Sequence, residues 1–191
     1  LKYVTEIALN FVVGAVAYHN FHTNGLYDPD STGVGHQPKG FDQWMGVYRH
    51  YTVIDSKIKV TVVAQDNTGG FTGQYFGVGV NTGTIDYSGM DSQTIMESAN
   101  ATSYKFCNHF NTSGAKNYAS CNANWNGRKV FGKNLIGSAN FTGSSATNPS
   151  EGSYFCVWAG AVSGNAPGNV EYLVELEYIA VLTEKLPLAQ S

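Results

Sequence analysis

Charge is what this sequence has least of: Asp, Glu, Lys and Arg together make up 13% of its 191 residues. A chain that stays unfolded in water needs the reverse, many charges and few apolar groups, so disorder is excluded. Basic charge is thinnest of all. Eleven Lys and Arg against 14 Asp and Glu leave a net charge of -3, and the longest basic run is Arg128-Lys129. A domain that grips nucleic acid by charge alone carries a clear basic excess. No stretch approaches the ~18 consecutive apolar residues of a membrane helix, and signal-peptide architecture is absent. Cysteine is scarce and odd in number. Cys107, Cys121 and Cys156 have no C-x-x-C spacing, so small buried hydrophobes are expected, with a Cys107–Cys121 bridge as the alternative.

What is plentiful points to strands. Hydrophobic residues reach 42% and aromatics 13%, with 12 Tyr and 10 Phe, and 22 Gly supply turns. Such turn-rich, β-branched and aromatic composition favours an all-β architecture. Period-two alternation bears this out. Tyr3, Thr5, Ile7, Leu9 and Phe11 share one face near the start; Ile54, Ser56, Ile58, Val60 and Val62 share another. The last strand is the clearest. Tyr172, Val174, Leu176, Tyr178, Ala180 and Leu182 face one way, and Glu171, Leu173, Glu175, Glu177, Ile179 and Val181 the other. Further strands are expected at 75–80, 104–108, 129–131 and 154–162, the last nearly all apolar and therefore central.

Turns or loops are expected at 67–70, 81–83, 126–127, 143–152 and 163–168, where Gly, Asn and Pro cluster. Two short helices are predicted. Phe41, Trp44, Tyr48 and Tyr51 recur at helical spacing, and residues 91–99 begin with Asp91-Ser92 as candidate N-caps. No repeat or linker divides residues 1–191, which read as one domain. About eight strands with long loops and two helical insertions suit an antiparallel jelly-roll sandwich; an eight-stranded closed barrel is the alternative.

The search for chemistry returns little. His19-Asn-Phe-His22 has an H-x-x-H look with Asp28-Pro-Asp30 behind it, yet the spacing supplies no third and fourth ligand. Glu175 and Glu177 share a strand face as a glycosidase pair does, but a solvated face or subunit contact suits them better. No nucleophile elbow, phosphate loop or zincin helix occurs. The expectation is therefore no catalytic residues, no metal, no cofactor and no enzyme activity. Three Asn-x-Ser/Thr triplets, at Asn100, Asn111 and Asn140, arise readily by chance in so Asn/Ser/Thr-rich a chain.

The most specific stretch is Leu26-Tyr-Asp-Pro-Asp-Ser-Thr-Gly-Val-Gly-His-Gln-Pro-Lys-Gly-Phe-Asp-Gln-Trp44, followed by Tyr48-Arg-His-Tyr51 and Ser56-Lys-Ile58. It resembles the coat proteins of small circular single-stranded DNA viruses, whose single jelly roll is similar to the shell domain of tombusvirus-like viruses. The final strand, Val174 to Glu184, and the Gln190-Ser191 tail resemble theirs too. Outside 26–58 and 174–191 the likeness is one of strand order. The resemblance implies a shell-forming viral jelly roll whose copies build a small T=1 icosahedral virion. Assembly is expected inside the host cell, with the nucleus as candidate compartment and an unspecified host receptor. Such proteins usually carry an Arg/Lys-rich N-terminal arm that binds the genome. This sequence begins at Leu1 without one, and the arm is expected to lie outside it.

Assembly needs aromatic anchors, which are enriched at interface cores. Tyr27, Phe41, Trp44, Phe110, Trp125 and Phe141 are the candidates for subunit contacts. Lys57, Lys59, Arg128, Lys129 and Lys133 are the candidates for any nucleic-acid contact within these residues. The rival reading, from another class, is a lectin or carbohydrate-binding module, with Trp125 stacking on sugar and Asn122, Asn124 and Asn126 beside it.

Overall fold

A computed structural model of the protein describes residues 1–12, 14–65, 73–108, 119–162 and 170–187. The expected turns at 67–70 and 163–168, Phe110, the Asn111 triplet and the Gln190-Ser191 tail lie outside these. The strands are β1 (Lys2–Leu9), β2 (Ala17–His22), β3 (Tyr48–Gln65), β4 (Gly73–Asn81), β5 (Ala101–Asn108), β6 (Ser120–Asn126), β7 (Gly143–Ser144), β8 (Tyr154–Ala161) and β9 (Val170–Lys185). Among the described residues three short helices join them, α1 (Phe41–Met45), α2 (Ser92–Glu97) and α3 (Gly127–Phe131), with one 3-10 turn at Ala139–Phe141.

Two antiparallel sheets form, ordered β1-β9-β3-β6 and β2-β8-β4-β5, with the two-residue β7 paired to β3. The pairs β1/β9, β2/β8, β3/β6 and β4/β5 are what a long antiparallel ribbon makes when its two halves run against each other. The pairs β3/β9 and β4/β8 roll that ribbon into two facing sheets. Eight strands in this order are a jelly roll. The closed barrel is thereby excluded, because each sheet keeps two edges.

The core follows the alternation. Tyr3, Ile7 and Leu9 from β1, Tyr172, Val174, Leu176 and Tyr178 from β9, and Ile58, Val60 and Val62 from β3 point inward against Phe76, Val78, Phe155 and Val157. One parity needs correction. Tyr51 and Val53 are inward at odd positions, while Ser56, Ile58 and Val60 are inward at even ones. The pairing shifts between Val53 and Asp55: a bulge inserts Ile54 as an extra residue and flips the strand's faces. Ile54 therefore leaves the inner set and lies half-buried.

The apolar strand β8 is central, between β2 and β4. It is apolar on both faces because both are covered. Phe155 and Val157 meet the first sheet, while Cys156 and Trp158 join a second cluster with Val16, Ile85, Tyr87 and Ile95, beneath α2. Asp91 caps α2 as expected, its carboxylate accepting from the Thr94 N–H at 2.8 Å.

Three expectations fail for local reasons. The helix at Phe41 ends at Gly46, a poor helix former, and Tyr48 and Tyr51 enter β3, drawn into pairing by the long β9. Residues 129–131 are helical: the Asn126 side chain accepts from the Lys129 N–H, and Gly132 closes the turn at φ 67°, a left-handed conformation natural to glycine. The Cys107–Cys121 bridge does not form; Cys121 is a buried free thiol.

Candidate functional site

The loop between β2 and α1 carries the most specific sequence and is pinned at several points. The His22 N–H donates to the Pro29 carbonyl, and Asp30 forms an isolated bridge to Phe21. The Asp30 carboxylate accepts from the Thr32 N–H at 2.9 Å, the Thr32 hydroxyl at 2.7 Å and, at 2.9 Å, pairs with His19 Nε2. Burial pushes this carboxyl up, but the Thr32 donors and His19 outweigh it and hold it below its usual range. Burial, with the neighbouring Asp30 charge, raises Asp28 instead. His36 reaches the Gln37 and Val4 carbonyls with its two ring nitrogens and lies 4.5 Å from the Tyr3 ring. The loop is thus tied to β1, β2 and the core.

His19 and His22 are three apart on a strand, so their side chains point to opposite faces. His19 holds Asp30. His22 packs on Tyr154 at 4.6 Å, and burial lowers its pKa to about 4. The two imidazoles do not converge on a shared ligand position.

Glu175 and Glu177 lie on the outer face of the first sheet inside a ladder of lysines. Lys2 Nζ and Lys59 Nζ stand 2.7 and 3.4 Å from Glu175, and Lys57 Nζ stands 2.7 Å from Glu177. Hydrogen bonding from Lys2 lowers the Glu175 pKa, and Lys57 does the same for Glu177. A glycosidase needs one of its two carboxyls kept protonated near neutral pH. Here both are pulled the other way. A groove of about 380 Å³ runs over this ladder, walled by Asn122 and Asn124. The lysines expected to face phosphate, Lys57 and Lys59, are each matched by a carboxylate. Arg128 and Lys129 sit on α3 at the end of β6, and Lys133 lies over the Phe141 ring, 4.8 Å from its centroid.

The aromatic candidates for subunit contact divide. Phe41, Trp125 and Phe141 are core residues, 1–2% exposed. Trp125 and Phe141 both pack on Phe131, and Phe41 packs edge-on to Tyr51. Aromatic residues beside turns look available in sequence, but α1 buries Phe41, the inward face of β6 carries Trp125 into the core, and the 3-10 turn buries Phe141. Burial of Trp125 also removes the stacking platform of the lectin reading. Tyr27 and Trp44 are exposed as expected.

Exposed apolar groups that the sequence reading missed are Ile179, at 61%, with Ile136, Val130 and Met90, and the pair Tyr104 and Phe106 on β5. A signal existed for two of these places. Ile179 falls in the same register as Glu171, Glu175 and Glu177, and Tyr104 and Phe106 flank Lys105 in a strand pattern.

No family model matches the chain, and no curated protein matches it. Among solved structures it is similar to a chain of broad bean stain virus, with 7% identity, covering 100% of this chain and 93% of that one, at a TM-score of 0.46. A chain of cowpea mosaic virus naturally occurring empty particles gives 10% identity, 100% and 90% coverage and a TM-score of 0.46. Cocksfoot mottle virus gives 10%, 97% and 96%, and 0.45. With identities this low and TM-scores below 0.5, the fold assignment rests on the strand order itself.

Proposed function

We propose that this chain is a structural coat protein whose copies assemble into a closed icosahedral shell around a viral genome, and that it is not an enzyme. The observation that carries the reading is a jelly roll whose interior is filled by its own side chains. Phe21, Phe76, Phe155, Trp125, Tyr172 and Leu176 are all buried at 1% exposure or less. The fold alone hosts many functions. A core packed this way reserves no room between the sheets for a substrate, and leaves loops, edges and flanks as the surfaces that can act. Rigid blocks that meet several neighbours at once gain cumulative stability from modest contacts.

The residues of the 26–58 segment support the finer reading, a small T=1 virion with a circular single-stranded DNA genome. Its loop, tied by Asp30, His36 and Tyr51, is a shaped surface rather than a slack connection. Glu175 and Glu177 offset two of the ladder's three lysine charges, and the single net charge left has little to offer phosphate groups.

Expression of the full chain followed by size-exclusion chromatography and negative-stain microscopy tests the proposal. Uniform closed shells are the expected result. A chain that stays monomeric across pH, salt and concentration refutes it. A lectin reading keeps one foothold, Tyr104 and Phe106, each 47% exposed, with Tyr75 5.5 Å from Phe106. Glycan-array binding by a monomer would favour it.

A further inference from the structure

Charge is divided unevenly along this chain. From 119 to 150 there are three bases, Arg128, Lys129 and Lys133, and no acid; from 82 to 100 there are three acids, Asp86, Asp91 and Glu97, and no base. Among the described residues none of these six enters an ion pair. The two surfaces belong to opposite sheets: α3 packs on β3 and β6 of the first, and α2 packs on β5 and β8 of the second.

Each surface also carries exposed apolar groups. On the basic side a groove of about 390 Å³ is lined by Ile54, Leu135, Ile136 and Ile179, with Arg128 on its wall and Asp55 engaged at 2.9 Å by the Asn126 amide. On the acidic side Met90 is 39% exposed at a turn closed by its N–H on the Tyr87 carbonyl, after Gly89 at φ 73°. Asp86 and Asp91 flank that turn and are fixed in place, Asp86 by Tyr18 and Ser88 and Asp91 by the α2 cap. The thioether of methionine adapts well to an irregular apolar groove.

Resting on the assembly reading above, we infer that neighbouring copies dock head to tail, the Met90 turn of one in the Ile54–Ile136–Ile179 groove of the next, with Asp86, Asp91 and Glu97 facing Arg128 and Lys129. Complementary potentials of this kind set partner choice and register. Because the two surfaces differ, the contact is heterologous, and repetition about an axis closes it into a ring.

The test uses the full chain, with assembly followed by light scattering and sedimentation velocity, and folding checked by circular dichroism. Arg128→Glu with Lys129→Glu should raise the concentration at which shells form at least tenfold. Gln93→Lys with Glu97→Lys, both exposed and both clear of the α2 cap, should do the same. All four changes in one chain should recover most of the loss. Met90→Ser, which leaves charge alone, should also weaken assembly. The contact is refuted if the charge-reversed chains assemble at the wild-type concentration, or if the four-fold variant recovers nothing. It is equally refuted if the Arg128/Lys129 variant assembles normally but packages less nucleic acid, which would assign the basic surface to the genome. Wild-type shells with indifferent variants sink this contact only; a wild-type chain that never assembles sinks the coat-protein reading with it.

Discussion

The Tyr51 hydroxyl stands 3.0 Å from Asn148 Oδ1, and this pair holds the start of the 26–40 loop. Tyr51 Oη accepts from the Leu26 and Tyr27 N–H groups, and the Asn148 amide accepts from Tyr27 and Asp28 while donating to the Asp28 carbonyl. One residue comes from β3 and the other from the loop before β8, 97 positions apart.

Tyr51→Phe should therefore destabilise the fold by about 1–3 kcal/mol, the cost of leaving buried donors short of a partner. Asn148→Ala should cost a similar amount. Urea unfolding of both single variants and the double variant checks the coupling. Strictly additive losses would show that the two side chains act independently.

Acid should weaken the protein through His22. Its pKa is about 4 when folded, against 6.5 for the free side chain, so the unfolded chain binds the extra proton first. Stability should fall as pH drops from about 6.5 to about 4, by about 3 kcal/mol, and the His22 contribution should level off below that. Asp30, held below its ordinary 3.8, loses its contribution only at still lower pH. His22→Phe keeps a ring against Tyr154 and cannot titrate, so the slope between pH 4 and 6.5 should flatten in thermal melts.

Gly77 marks where two strands and Trp158 crowd together. A Cβ there would lie 2.5 Å from the Ser103 carbonyl oxygen and 2.9 Å from the Trp158 ring. Gly77→Ala should cost about 1–3 kcal/mol or more, since neither neighbour is a flexible chain end. Amide exchange should quicken along the β4/β5 pairing. A variant with wild-type stability would refute that close approach.

Cys121 and Cys156 should resist alkylation in the native state. Both are buried, which pushes the Cys121 thiol up to about 12 and the Cys156 thiol higher still, and the thiolate is the reactive form. Iodoacetamide followed by peptide mapping should label neither until urea is added.

Legibility in the sequence tracked the strength of local patterning. β1, β9 and the second half of β3 alternate with large apolar groups on the inner face, so both their existence and their facing could be read. β6 alternates as cleanly, with Cys121, Ala123 and Trp125 buried between Ser and Asn. Two of its inner residues, Cys121 and Ala123, are small, and its asparagines read as turn chemistry, so the strand was missed. β2 was missed because its burial has no period; only Phe21 of its six residues is fully buried. The ion ladder was half visible: Glu175 and Glu177 share a face in any strand, but their lysines come from strands more than 100 residues away.

Alternation along single strands is a local property, because a strand's successive side chains point to opposite faces whatever lies beyond. That period, the scarcity of charge and the turn residues were enough to point to an all-β chain of sandwich type, while the jelly-roll order and the exclusion of a closed barrel came from the sheet pairing. Which aromatic rings sank into the core, where the Val53–Asp55 bulge reversed a strand's faces, and which lysines met glutamates depended on pairings between distant segments. Those were decided only when the ribbon rolled up, because burial and ion pairing depend on distance in space rather than on position in the chain.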